Sequence, residues 1–112
     1  MRLLYTKETH LQNDCLMYLK AKKIFHYRQN SGALKTEKGF YRFTSISGLP
    51  DIISIINGKF VGFELKLKGN YPSRNQKETH KKIKQAGGEV YIIHNLKELA
   101  NAVERELCQK DH

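Results

Sequence analysis

Between Ile52 and Lys66 the chain spells a strand, a two-residue turn and a second strand: Ile52-Ile53-Ser54-Ile55-Ile56, then Asn57-Gly58, then Lys59 through Lys66 carrying Phe60, Val61, Phe63 and Leu65. Asn-Gly between β-branched and aromatic runs is the strongest short-range hairpin signal, because both turn positions need a positive φ that Asn and Gly adopt at little cost. Apolar residues at successive positions put apolar groups on both faces of the pair, so a central, covered hairpin is expected. A chain of 112 residues has room for one domain around it.

The flanking segments read as elements that could cover such a pair. Leu4, Leu11, Cys15, Leu16 and Leu19 recur at helical spacing, predicting a helix from about Lys7 to Lys22 with Thr6 as N-cap and Glu8 on the same stripe. Ile24 to Gln29 reads as a strand, Asn30-Ser31-Gly32 as a turn, and Phe40 to Phe43 as a short strand after a basic, Gly-containing loop. Ser73 and Gln76 form a capping box opening a helix that runs to Ala86 and ends at Gly87-Gly88. Val90 to Ile93 is a further strand. Asn95 with Glu98 is a second capping box, opening a helix with Leu96, Leu99, Ala100, Val103 and Leu107 on one side. The order α, β, β, β, β, α, β, α predicts an α/β fold: a mixed central β-sheet flanked by helices.

No apolar run approaches the ~18 residues of a membrane helix, and the N-terminal stretch lacks the apolar core of a secretion signal, so no membrane partner and a cytoplasmic location are expected. Cys15 and Cys108 have no CxxC companion; both read as core thiols of a reduced compartment. His10, His26, His80, His94 and His112 show no zinc-ligand spacing and read as surface or strand-end residues. With 20 Lys and Arg against 11 Asp and Glu, the chain carries a net charge of +9, which favours a polyanionic partner, nucleic acid by default, over a small-molecule substrate.

The hairpin also locates a candidate for chemistry. If Ile56 faces Lys59 across the turn, Asp51 faces Glu64, and side-chain alternation puts Glu64 and Lys66 on the same face, with the two carboxylates' Cβ atoms roughly 5 Å apart. Carboxylates this close repel at neutral pH unless a proton, a cation or Lys66 compensates, and buried carboxylates without a task are expensive. Mg²⁺ suits the arrangement, because it takes one or two protein carboxylates and fills its octahedron with waters and phosphate oxygens. Such a metal polarises a phosphate and lowers the pKa of a bound water, so phosphodiester hydrolysis is the expected reaction.

Gly48-Leu49-Pro50-Asp51, followed after twelve residues by Glu64-Leu65-Lys66, resembles the PD-(D/E)xK nuclease signature. It is most similar to the VRR-NUC branch, which places a Gly before Pro-Asp, a Gly-containing hairpin, an acidic-x-Lys strand, a Gln opening the next helix and a Gly ending it; Gly48, Asn57-Gly58, Gln76 and Gly87-Gly88 match. The resemblance runs from about Glu8 to Val90. It implies a restriction-endonuclease-like core, with Asp51 and Glu64 as metal ligands, the Leu65 backbone carbonyl as a further ligand and Lys66 as the catalytic lysine. Gln76 matches the catalytic glutamine beside the lysine, and Glu8 the acidic residue of the first helix, which reaches the metal directly or through water. Asn30 and Ser31 match a loop near the substrate.

Stand-alone members of that branch are similar to Holliday-junction resolvases. The resemblance thus implies a Mg²⁺-dependent endonuclease of branched DNA, with Mn²⁺ able to substitute, acting as a homodimer because symmetric junction cutting needs two sites. A flap or single-strand-end nuclease would share every catalytic residue, and a non-cutting basic DNA-binding module is the alternative of another class. Lys68, Arg74, Lys77, Lys81 and Lys82, with Lys66 and Lys84 and only Glu78 against them, are the expected phosphate contacts, and Tyr71 in the same stretch is a candidate to stack on an unpaired base.

Overall fold

The computed structural model describes residues 4–29, 33–36, 39–42 and 46–109, with the backbone alone for 33–36 and 39–42. Its elements run α1 Glu8–Ala21, β1 Phe25–Arg28, β2 Ala33–Thr36, β3 Gly39–Arg42, β4 Ile52–Ile56, β5 Lys59–Leu65, α2 Arg74–Gln85, β6 Glu89–Ile93 and α3 Leu96–Cys108. The expected order holds with one addition. The stretch read as a basic loop contains β2, which pairs antiparallel with β3 in register Ala33↔Arg42 to Thr36↔Gly39 as a separate two-stranded ribbon. Four residues including Lys35 carry too little apolar alternation to mark a strand, and the pairing comes from the neighbour across the ribbon.

The main sheet has the order β1-β4-β5-β6. β4 pairs antiparallel with β1 and with β5, while β6 runs parallel to β5, so the sheet is mixed. Asn57 at φ 52° and Gly58 at φ 76° make the tight turn between β4 and β5, and the ladder from Ile56↔Lys59 to Ile52↔Phe63 keeps the register expected of a two-residue turn. Asn57 does a second job. Its side-chain amide stands within 3.1 to 3.3 Å of the carbonyls of Glu106, Leu107 and Gln109, and its two hydrogens are shared among these carbonyls at the end of α3.

Period-two alternation gives β4 and β5 two covered faces. Ile52, Ile56, Val61, Phe63 and Leu65 join Leu11, Cys15 and Leu19 of α1, Ile93 of β6, and Leu99, Ala102 and Val103 of α3 in the principal core. Glu64 and Lys66 point to the other face, over which α2 lies. Among the described residues, no helix is long and apolar enough to cross a membrane.

Local signals largely decide the helix ends. Ser73 and Gln76 form the reciprocal capping box of α2. The box expected at α3 closes only in half: Asn95 accepts the Glu98 N–H, but the Glu98 carboxylate takes the His94 N–H instead of that of Asn95. At α1 the N-cap is Lys7, without a side-chain bond, rather than Thr6, and Leu4 is exposed. Cys15 is buried as expected, whereas Cys108 is exposed, because it falls in the last turn of α3 off the stripe of Leu99 and Val103.

Candidate active site

Glu64 lies next to the last residue of β5 and is 1% exposed. Three side chains converge on it. Gln76 Nε2 donates to Oε2 at 3.3 Å, His80 Nε2 is 3.1 Å from Oε1, and Lys66 Nζ is 3.8 Å from Oε2. An ionised carboxylate only accepts, so the His80 nitrogen facing it carries the proton. Gln76 and His80 are one helical turn apart on α2 and meet the same carboxylate for that reason. Gln76 therefore serves twice, its Oε1 accepting the Ser73 N–H at 2.8 Å in the capping box and its amide holding Glu64.

His80 corrects the sequence expectation of a surface or strand-end histidine: it is 6% exposed and belongs to the Glu64 cluster. The basic run around it hides this, but the four-residue spacing from Gln76 was the available signal.

Asp51 precedes β4 by one residue and extends its register to a position opposite Glu64. Its Oδ2 accepts the Leu65 N–H at 2.8 Å, and its carbonyl accepts the Gln29 N–H at 2.7 Å. Close backbone packing sets this position. A Cβ on Gly62 would stand 2.5 Å from the Pro50 ring, and a Cβ on Gly48 would stand 2.8 Å from the Asn75 carbonyl oxygen and Thr79 Oγ1 of α2. Glu8 and Gln12 of α1 line a cavity of about 110 Å³ with Asp51 and Leu65, so the structure brings Glu8 to the Asp51 side of the cluster.

Burial first, and then the negative charges of Glu64 and Glu8, push the Asp51 carboxyl up to about 7 against the pull of the Leu65 N–H. The linkage has a definite sign. The unfolded carboxyl titrates near 3.8, so the stability that a neutral Asp51 contributes is fully present below that value and is lost as pH rises through about 7. Metal-free protein is therefore expected to melt at progressively lower temperature as pH is raised from acid to mildly alkaline, and Mg²⁺ to restore the loss. Thermal melts in EDTA that show the same pH slope for wild type and Asp51→Asn would contradict this.

The donor set fits a small, hard divalent cation. Two carboxylates crowd together with Lys66 near them, and among the described residues no group of three or more His, Cys, Asp or Glu is placed to hold a metal ion by itself. A pair of carboxylates is what Mg²⁺ or Mn²⁺ takes from a protein, with water and phosphate filling the remaining positions. Asp51, Glu64 and the Leu65 carbonyl are the groups that would hold it. His80 and Gln76 fix the Glu64 carboxylate from behind. His80→Ala is expected to weaken Mn²⁺ binding by about 10- to 100-fold, as loss of hydrogen-bonded support around a metal ligand does; titration calorimetry showing unchanged affinity would refute the role.

The basic residues divide. Lys77 and Lys81, joined by Lys84, line a groove of about 640 Å³ between α2 and Val90 and Ile92 of β6, with His80 also in its wall. Arg74 projects into solvent and pairs with Glu78 at 3.5 Å, Lys82 is exposed outside that groove, and Lys68 lines a separate cavity. Asn30 and Ser31 lie outside the described residues.

No protein-family model matches this chain, and no curated protein matches it. The likeness to the VRR-NUC branch therefore rests on the residues themselves.

Proposed function

We propose that the chain is a divalent-metal-dependent endonuclease that hydrolyses phosphodiester bonds in branched DNA, on a restriction-endonuclease-like core. The observation that carries this reading is the pair Asp51 and Glu64: two carboxylates, one of them almost fully buried, crowded together in a chain of net charge +9. Such a pair is costly to assemble without a cation to compensate it. When bound there, Mg²⁺ or Mn²⁺ supplies Lewis-acid polarisation of the phosphate and a water of lowered pKa.

The chain's own groups do the rest. Leu65 N–H fixes one Asp51 oxygen, the Asp51 and Glu64 carboxyls are hydrogen-bonded to each other, and Gln76 and His80 hold Glu64. Lys66, partly exposed beside Glu64, brings an ammonium to the place where negative charge grows on the phosphorane and orients the attacking water. The preference for branched DNA and the homodimer follow from the family resemblance, and a cytoplasmic setting from the lack of an apolar run or secretion signal in the sequence and from its unpaired cysteines.

The experiment is cleavage of a synthetic four-way junction, a flap and a linear duplex with Mg²⁺, with and without EDTA. Paired symmetric nicks in the junction alone are expected, from a protein whose light-scattering mass on DNA is that of a dimer. Cutting of the flap alone would replace the resolvase reading with a flap nuclease. Salt-sensitive binding without cutting in Mg²⁺ or Mn²⁺ would replace both with a non-catalytic module.

A further inference from the structure

A second cavity lies at the carboxyl ends of the parallel strands β5 and β6. It measures about 500 Å³ and is lined by Tyr5, Lys68, Tyr71, His94, Asn95 and Glu98, with Leu4 and Gly69. Two of its walls continue directly from the catalytic candidates: Tyr5 is three residues before Glu8, and Lys68 is three after Leu65. Three residues span at most about 10 Å, so two residues of the cavity's lining stand within one nucleotide's reach of the candidate site. The Lys66 N–H donates to the Ile93 carbonyl at 3.0 Å and ties the β5 wall to the β6 wall that carries His94.

The lining has the makings of a nucleobase site. Tyr71 is 77% exposed and, among the described residues, makes no hydrogen bond or ring contact, yet its loop is anchored: the Asn70 N–H closes a turn onto the Leu67 carbonyl at 2.9 Å, and Leu67 packs on the core. An exposed aromatic ring on an anchored basic loop is what a base stacks on. Lys68 supplies charge for the adjoining phosphate. Glu98 does not spoil this, because its Oε1 is taken by the His94 N–H and ring at 2.8 and 3.0 Å. Its other oxygen remains to accept from an exocyclic amino group, as carboxylates do with cytosine.

We infer that this cavity takes an unpaired base next to the phosphate that is cut, with Tyr71 as the stacking platform, so that the strand engaged is locally single-stranded. The inference rests on reading Asp51, Glu64 and Lys66 as the cleavage centre and names the form of DNA that centre engages.

The test uses Lys66→Ala protein with Mg²⁺ and short single strands carrying 2-aminopurine, which bears an exocyclic amine, at one position at a time. Quenching on binding is expected at one or two adjacent positions. Adding Tyr71→Ala should abolish it and weaken single-strand binding by about 5- to 150-fold, with Tyr71→Phe retaining both and duplex affinity unchanged. Since Tyr71 is exposed, these variants do not threaten the fold. Quenching that is absent, spread over all positions, or unchanged by Tyr71→Ala would overturn the inference. Metal-dependent cutting by wild type, measured beside it, separates the two readings: cutting without localised quenching removes the base pocket alone, whereas localised quenching without cutting keeps the pocket and removes the nuclease.

Discussion

Asp51→Asn is expected to lower the rate of Mg²⁺-dependent DNA cleavage by at least about 10³-fold, the scale on which loss of one group aimed at transition-state charge is felt. The same substitution should make the metal-free protein more stable than wild type above neutral pH. Both follow from one geometry. An Asn side-chain oxygen still accepts the Leu65 N–H that Asp51 Oδ2 takes at 2.8 Å, so the fold is kept, while the charge that crowds Glu64 is gone. Lys66→Ala should abolish cleavage to a similar degree, since Lys66 is, among the described residues, the lysine paired with Glu64, and it leaves the principal core untouched. Rates from gel assays, melting temperatures in EDTA and DNA affinity by anisotropy check these outcomes. Near wild-type cleavage by either variant would refute the site.

The largest expected loss of stability is at Gly48. At φ +79° the position is left-handed, and an added Cβ would meet the Asn75 carbonyl oxygen and Thr79 Oγ1, both at 2.8 Å. The carbonyl is backbone of α2 and yields only if the helix moves. Gly48→Ala should therefore cost about 2–4 kcal/mol, from backbone strain and overpacking together. It should also lower activity, because the displaced helix carries Gln76 and His80. Gly58 isolates the packing part: it has φ +76° with nothing within 4 Å of an added Cβ, so Gly58→Ala should cost only about 1 kcal/mol. Urea unfolding of the two variants checks the contrast, and equal costs would contradict it.

The central hairpin and the pairing of Asp51 with Glu64 were legible because they depend on local chemistry: Asn57-Gly58 selects the turn, the turn sets the register, and alternation then assigns the faces. Gln76 was legible as a cap for the same reason. What escaped the sequence depends on contacts distant in the chain. His80 sits in a run of lysines and acquires its role only because α2 lies over Glu64. The ribbon of β2 with β3 draws on pairing rather than on any pattern in Ala33–Thr36. Nor does a linear run of lysines show that Lys77, Lys81 and Lys84 share a groove while Lys82 stands outside it.

If Asp51 and Glu64 are held together to bind a divalent cation, the protein binds Mn²⁺ without DNA. Electron paramagnetic resonance titration of Mn²⁺ into the protein, beside Asp51→Asn, tests it without any choice of DNA substrate. Saturable binding that Mg²⁺ competes away and that Asp51→Asn abolishes is the predicted result. Mn²⁺ that stays free, or that binds the variant as it binds the wild type, would contradict it.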